Sequence, residues 1–395
     1  MTTDIDIGPP SSEGDLQRFG VTLAHSLGFP PDRAPLWLER VGARNVRIAR
    51  RGADVAGGVL LVPMGHWVGG RVVPCTGISG VAVAPEHRSR GVGGELMRVA
   101  IEEAHRDGVP LSSLYPATFP VYRAAGYEAA GTRIVYRVPL ANLGAGDREP
   151  EMREVLADER GILRDLYDAQ ARTVNGAIAR TPYFWARIHE PFSADNARAF
   201  IVEGDTGPEG YAVLWYRPGG GALAPNELPV RDVVARTPRA ARRILRLLAD
   251  HRSVARTATI AGGPASTLLL HMAEPRIEVS AMEQWMLRIV DVRGALERRG
   301  WSPLVRGELH LDVRDALLRE NSRRWVLEIA NGQAEVREGG SGAVTLDVRG
   351  LAALYTGHLS GPDLRVAGLA DGADAELAKA TALFCGSAPW DSDLF

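Results

Sequence analysis

The stretch Val81-Ala82-Val83-Ala84-Pro85-Glu86-His87-Arg88-Ser89-Arg90-Gly91-Val92-Gly93-Gly94-Glu95-Leu96-Met97 decides how the chain is read. An apolar, strand-like run stops at a proline, passes through a basic glycine-rich loop and enters a helix. From Gly93 to Arg106, Leu96, Val99, Ala100 and Ala104 recur at the spacing of one helical face. The first N–H groups of such a helix have no intrahelical acceptor, and the helix dipole favours an anion there. Arg88, Ser89, Arg90, Gly91, Val92, Gly93 and Gly94 therefore predict a phosphate-bearing ligand. The loop fits R-x-x-G-x-G after a strand and before a helix. It has neither the G-K-[ST] of a P-loop nor a dinucleotide fingerprint.

Working outward, alternation predicts an α/β region. Helices are expected at Gly14–Leu27 and Arg33–Val41, and strands at Asn45–Arg50, Val55–Met64, Arg71–Pro74 and Gly80–Val83, with a Gly69-Gly70 turn. After the loop helix come a strand at Leu111–Tyr115, a short helix at Pro120–Ala125 and a strand at Thr132–Val138. The Pro- and Ser-bearing lead-in, Met1–Gly14, reads as loose. Gly-, Pro- and charge-rich stretches at Ala141–Pro150 and Arg217–Pro229 read as a linker and an exposed loop.

A second region echoes the first. Strands at Ala199–Glu203 and Tyr211–Tyr216 precede a strand at Val230–Val234, a short loop and a helix at Arg239–His251. Arg239-Ala240-Ala241-Arg242 stands where the first copy has its glycines. The echo predicts a duplicate without the phosphate loop. A third, α+β region carries a meander of strands at Leu309–Val313, Trp325–Ile329, Gln333–Arg337 and Ala343–Val348. Helices follow at Arg349–Thr356 and Ala373–Leu383.

Composition narrows the function classes. The 395 residues are 45% hydrophobic and 24% charged, ordinary values for a multidomain globular chain. A net charge of -2 speaks against a nucleic-acid-binding protein, and no apolar run approaches the roughly 18 residues of a membrane span. Two distant cysteines, Cys75 and Cys385, imply neither a disulfide framework nor a metal cluster and suit a cytoplasmic protein. The nine histidines lack metal-ligand spacing. Arg236, Arg239, Arg242 and Arg243 read as a solvated or subunit-contacting helix face.

The loop resembles the acyl-CoA pyrophosphate loop of the Gcn5-related N-acetyltransferases (GNATs). Three further features extend the resemblance to the Eis-type branch: Val121-Tyr122-Arg123-Ala124-Ala125-Gly126-Tyr127, Trp285-Met286-Leu287-Arg288-Ile289-Val290-Asp291-Val292, and the terminal Phe395. The resemblance implies two tandem GNAT-like domains, 1–142 and a degenerate 150–288, followed by a sterol-carrier-protein-like domain, 289–395. It implies that the backbone of Val81, Ala82 and Val83 holds the pantetheine and acetyl arm of acetyl-CoA, and that Ser89–Gly94 bind the pyrophosphate. Ala117 and Thr118 stand at a further CoA-contacting pair, with side chains unlike the family's Ser-Glu.

The resemblance gives Tyr122 the role of general acid. A departing thiolate needs a proton, and a phenol of pKa about 10 can supply it. Tyr127 is the local competitor. The α-carboxylate of Phe395 is implied as the base that takes the amine's proton, though a free carboxylate of pKa about 3.5 is a weak one unless desolvated or aided by water. Trp390, Leu394 and Phe395 are costly to expose, which predicts a docked tail. The implied substrate is a small amine, above all an aminoglycoside-like polyamine or a lysine ε-amine, and the implied assembly is a homo-hexamer. Asp32, Glu39, Asp391 and Asp393, with Trp37 and Phe29, are candidates for binding a cationic acceptor. The competing readings are a non-catalytic CoA- or lipid-binding carrier, and an acyltransferase for another amine or a longer acyl chain.

Overall fold

From Ile5 onward the lead-in is structured rather than loose. Asp6–Gly8 (β1) pairs antiparallel with Val46–Arg51 (β2). Between them lies the helix Glu13–Leu27 (α1), whose Ser12 cap accepts the Asp15 N–H at 3.2 Å. The computed structural model describes residues 5–144, 148–189, 196–216 and 227–395. Part of the expected linker and most of the expected Arg217–Pro229 loop lie outside the described residues. Two compact units form: residues 1–131 with 284–389 and 394–395, and residues 132–283 with 390–393.

In the first unit, Ala34–Val41 (α2) precedes β2, and Asp54–Val68 (β3) turns at Gly69-Gly70 into Arg71–Val83 (β4). The two strands expected at Arg71–Pro74 and Gly80–Val83 are thus one, with a register shift opposite Gly58–Leu60 that bends its far end. Val92–Arg106 (α3) follows, then Leu111–Leu114 (β5) and Phe119–Ala124 (α4). The α3 face made by Leu96, Met97, Ala100, Ile101 and Ala104 is buried with Val59, Leu61, Ile78 and Leu114. Each large apolar side chain so buried contributes about 1.5–3 kcal/mol.

The second unit begins within Glu128–Pro139 (β6), which crosses from one unit to the other after Gly131. It continues with Met152–Glu154 (β7), Gly161–Ala171 (α5), Ile178–Ala179 (β8), Pro182–His189 (α6), Asn196–Val202 (β9), Gly210–Tyr216 (β10), Glu227–Ala235 (β11), Pro238–Asp250 (α7) and Thr257–Gly262 (β12). Its sheet runs β6-β12-β11-β10-β9-β7, with β11 and β12 parallel. Ala240, Ala241, Ile244, Leu245 and Leu248 of α7 are buried in its core.

Glu278–Ile289 (β13) returns to the first unit at Gln284 and takes the free edge of β5. The remaining elements are Val292–Arg298 (α8), Gly307–Arg314 (β14), Arg324–Ala330 (β15), Gln333–Glu338 (β16), Val344–Asp347 (β17), Val348–Thr356 (α9), Gly361–Val366 (α10), Ala370–Gly372 (β18) and Asp374–Phe384 (α11). Their sheet order is β16-β15-β14-β17-β18. It is not the expected simple meander, because β17 crosses back to lie parallel to β14. Arg288 on β13 is fully buried. It donates to both Asp315 oxygens at 2.7 Å and to the Ala125 carbonyl at 3.0 Å.

Replacing Asp315 by Ala strands the Arg288 charge in the interior. It should cost about 3–5 kcal/mol, read from the midpoint of urea unfolding, whereas a loss below about 1 kcal/mol would show that the pair does not restrain this core.

Candidate active site

β4 and β5 run parallel but pair only at Cys75↔Leu111, Thr76↔Ser112 and Gly77↔Ser113. Beyond Gly77 they part, while β3 stays paired with β4 out to Val83. The last residues of β4, including Val81, Ala82 and Val83, therefore keep a ladder on one side only. This is the splay expected of a strand that holds an extended ligand arm.

Eight residues link the end of β4 to α3, and the loop turns on two left-handed residues, Ser89 (φ 58°) and Gly91 (φ 82°). Gly91 caps α3 without any side-chain hydrogen bond. A Cβ added at Gly91 or Gly94 would meet nothing within 4 Å. The left-handed backbone accounts for Gly91, but no protein neighbour explains Gly94, and a glycine inside a helix costs up to about 1 kcal/mol relative to alanine. They leave room in front of the first N–H groups of α3. Arg88, Ser89 and Arg90 are exposed, with Arg88 Nε donating to the Val83 carbonyl at 3.2 Å, and Val92 is buried beneath the loop. Ala117 and Thr118 are exposed before α4, and Thr118 makes no cap bond to it.

The two tyrosines differ in whether their proton is committed. Tyr127 is fully buried, with its hydroxyl 2.7 Å from Ser112 Oγ. Ser112 Oγ already donates to the Thr76 carbonyl at 2.8 Å, so the Tyr127 hydroxyl must donate to Ser112. Tyr122, on α4, is 8% exposed and stands edge-on to Tyr127, ring centroids 6.3 Å apart. Burial pushes its phenol pKa above the ordinary value, so the phenol stays protonated throughout the neutral range.

Phe395 docks in this unit. A Cβ added at Gly77 would lie 3.1 Å from Phe395 Cε2, so the ring rests on the glycine where β4 and β5 part. Its edge meets Tyr115, centroids 5.7 Å apart. Beneath this point Cys75 Sγ lies 3.5 Å from Ser113 Oγ, which also contacts His66 Nε2 at 2.8 Å. Burial pushes the Cys75 thiol up to about 12, which leaves it no thiolate character at neutral pH.

The acidic candidates divide. Asp32 and Glu39 are exposed near α2, and Phe29 and Trp37 pack together with centroids 5.5 Å apart. Asp391 and Asp393 are only 2% and 3% exposed, in the second unit, and Asp393 is bound by Arg180 at 2.7 Å. Neither is open to a cationic substrate, which corrects the sequence expectation. The Asp393 charge complements an internal arginine instead, while burial, with Asp393 beside it, pushes the Asp391 carboxyl well above the usual carboxylate range. Arg180, Gly77 and Tyr115 were not singled out from sequence, and only the apolar tail residues signalled docking there.

The second unit repeats the strand-helix plan without the opening. β11 and β12 pair from Glu227↔Thr257 to Val230↔Ile260 and then part. The first turn of α7, however, is filled from within. Thr237 Oγ1 accepts the Ala240 N–H at 3.2 Å and donates to Glu209 Oε2 at 2.6 Å, and Arg239 Nε donates to the same carboxylate at 2.7 Å. Arg239 and Thr237 hold Glu209 down at a pKa of about 2, so an anion already sits at this helix end. Arg239 also pairs with Asp205, and Arg243 donates to the Pro150 carbonyl, so these two arginines of the helix face have partners within the chain.

Residues 10–130 match the acetyltransferase (GNAT) domain family, residues 176–289 match a second acetyltransferase (GNAT) domain family, and residues 292–392 match the sterol carrier protein domain family. The chain is 30% identical over 358 residues to an uncharacterized N-acetyltransferase of Streptomyces griseus, 83% of each chain. It is 29% identical over 353 residues, again 83% of each, to N-acetyltransferase Eis of Mycobacterium tuberculosis. Its fold matches a GCN5-related N-acetyltransferase from Anabaena variabilis with TM-score 0.94 and 32% identity, over 99% of this chain and 100% of that one. The chain belongs to the GCN5-related N-acetyltransferases and is an N-acetyltransferase. Two such domains followed by a sterol-carrier-like domain are the Eis-type arrangement.

Brief iodoacetamide treatment of the native enzyme should label the exposed Cys385 and spare Cys75, with peptide mass spectrometry as the readout. Labelling of Cys75 at a comparable rate would contradict the burial that keeps its thiol protonated.

Proposed function

We propose that this enzyme transfers acetyl from acetyl-CoA directly to an amine, with Tyr122 as general acid and the Phe395 α-carboxylate as base. The observation that carries the reading is the seating of Phe395 on Gly77, where β4 leaves β5. In this reading the backbone of Val81, Ala82 and Val83 holds the pantetheine and acetyl arm. Arg88, Ser89, Arg90, Gly91, Val92, Gly93 and Gly94 bind the pyrophosphate at the α3 N-terminus, with Ala117 and Thr118 beside it. The division into 1–142, 150–288 and 289–395 belongs to the same proposal.

The chemistry follows from the groups. The neutral amine attacks the thioester carbonyl carbon, and the tetrahedral intermediate expels the CoA sulfur. Tyr122 protonates that sulfur, and the proton lost from the nitrogen passes to the Phe395 carboxylate, directly or through water. Burial supports Tyr122 as an acid held protonated, and the commitment of the Tyr127 proton to Ser112 argues against the competitor. No covalent acyl-enzyme is needed, in keeping with a protonated, buried Cys75. The acceptor we propose is an aminoglycoside-like polyamine, with lysine ε-amines as the second class, in a homo-hexamer.

Steady-state assays with acetyl-CoA and a panel of amines test the roles. Tyr122→Phe should lower kcat by about 10²–10⁴ while Tyr127→Phe lowers it far less. Deleting Phe395 should lower kcat by about 10² or more and leave acetyl-CoA affinity intact. Equal effects of the two tyrosine variants, or full turnover without Phe395, would sink the assignment.

Gly94→Glu puts bulk and negative charge in the open space before α3. It should raise the KM for acetyl-CoA about tenfold or more with kcat little changed. An unchanged KM would remove the loop from the binding site.

A further inference from the structure

We infer that Arg180 is a positioning residue for acetyl transfer: it clamps the chain segment just before Phe395 into the strand divergence of the second acetyltransferase-like unit. The inference rests on the reading of Phe395 as the base.

The second unit keeps the divergence of β11 from β12 while the helix beside it has no room for a phosphate. The segment Trp390–Asp393 lies in that unit, and every residue of it is tied there. Trp390 N–H donates to the Asn175 carbonyl at 3.1 Å, and its indole lies flat on Gly263, just past β12, where an added Cβ would run into the indole ring. Asp391 N–H donates to the Thr132 carbonyl at 3.2 Å, and Arg133 Nε donates to the Ser392 carbonyl at 3.0 Å. The tail thus continues the sheet beside β6, beyond the end of β12.

Arg180 closes the arrangement. It is 1% exposed at its side chain, with its guanidinium 3.6 Å from the Tyr167 ring centroid and 4.9 Å from that of Trp185. One edge grips Asp232 of β11 at 2.5 and 2.9 Å, and Tyr211 donates to the same carboxylate at 2.6 Å. The Nε donates to Asp393 at 2.7 Å, and Nη2 reaches Ser392 Oγ at 3.3 Å. A planar fork backed by two mutually edge-on rings, holding β11 with one edge and the tail with another, sets orientation as well as attachment. Asp393 is two residues from the carboxylate assigned as base, so the clamp sets where Phe395 begins.

Carboxypeptidase A releases a terminal Phe only from an accessible tail, so its rate on the native enzyme reports docking without reference to catalysis. Asp393→Asn removes the tail's charge and keeps the Arg180–Asp232 pair, and Arg180→Lys keeps a cation without the fork, so neither leaves a bare charge in the core. Both variants should release Phe395 about tenfold faster and lose about tenfold or more in kcat, with the KM for acetyl-CoA within about twofold. Release at the wild-type rate in both variants would overturn the clamp. Faster release with kcat intact, in an enzyme that deletion of Phe395 inactivates, would also overturn the positioning role. If deletion of Phe395 leaves turnover whole, the base assignment fails by itself, and faster release in the variants then still upholds the clamp.

Discussion

Two parallel strands that pair at three positions and then part are the constraint on which the site depends. Buried backbone N–H and C=O groups that lose a ladder partner must find another or pay for its absence. β4 keeps β3 on one edge, and its other edge faces the gap. The chain then needs only eight residues to reach the N-terminus of α3, so the strand's unpaired edge and the helix's unpaired N–H groups belong to one short connection. An extended ligand with a polar arm and a phosphate end suits both at once. Phe395 enters the same gap at its closed end, resting on Gly77, where an added Cβ would crowd both Met64 Sδ and the Phe395 ring.

The second unit has the same divergence without the open helix end. β11 and β12 part as β4 and β5 do, yet α7 begins with a threonine cap, a buttressing carboxylate and an arginine that pairs with it. A phosphate there would have to displace a carboxylate that its neighbours hold ionised to a pKa of about 2. The contrast between the two helix ends lies in the loop glycines. Where they are present the helix end is open, and where Arg239-Ala240-Ala241-Arg242 replaces them it is sealed from within.

What was legible in the sequence was local. The loop and α3 declared themselves because composition and 3.6-residue spacing act over a dozen neighbouring positions. The duplication was legible because it repeats the same local plan. β4 as a single strand was not, because Pro74, Gly77 and Gly80 interrupt its alternation. Pro74 sits just before β5 begins to pair, where β4 has only β3 beside it. The parallel placement of β17 against β14 depends on a crossover that no window of sequence contains. Arg180 was invisible for the same reason, since Asp232 and Asp393 lie 52 and 213 residues away. Asp391 and Asp393 were expected to meet a cationic substrate, but both are buried, and the cation that Asp393 meets is the protein's own Arg180.

A buried ion cluster is a poor way to add stability, since desolvation offsets most of the attraction. The tail carries enough apolar surface in Trp390, Leu394 and Phe395 to dock without one. An apolar contact, however, tolerates sliding, whereas a guanidinium fork sets distance and direction together. An extended chain spans at most about 3.3–3.6 Å per residue, so two residues beyond Asp393 leave Phe395 a reach of about 7 Å. Proton transfer demands hydrogen-bond distance from a particular atom, and effective molarity falls steeply with misplacement of about an ångström. A base carried on a chain end, as proposed for Phe395, meets that demand only if the residues before it are immobilised, since chain ends are the most mobile part of most proteins. The charges of Arg180, Asp232 and Asp393 are therefore better explained by where they hold the chain than by how strongly they hold it.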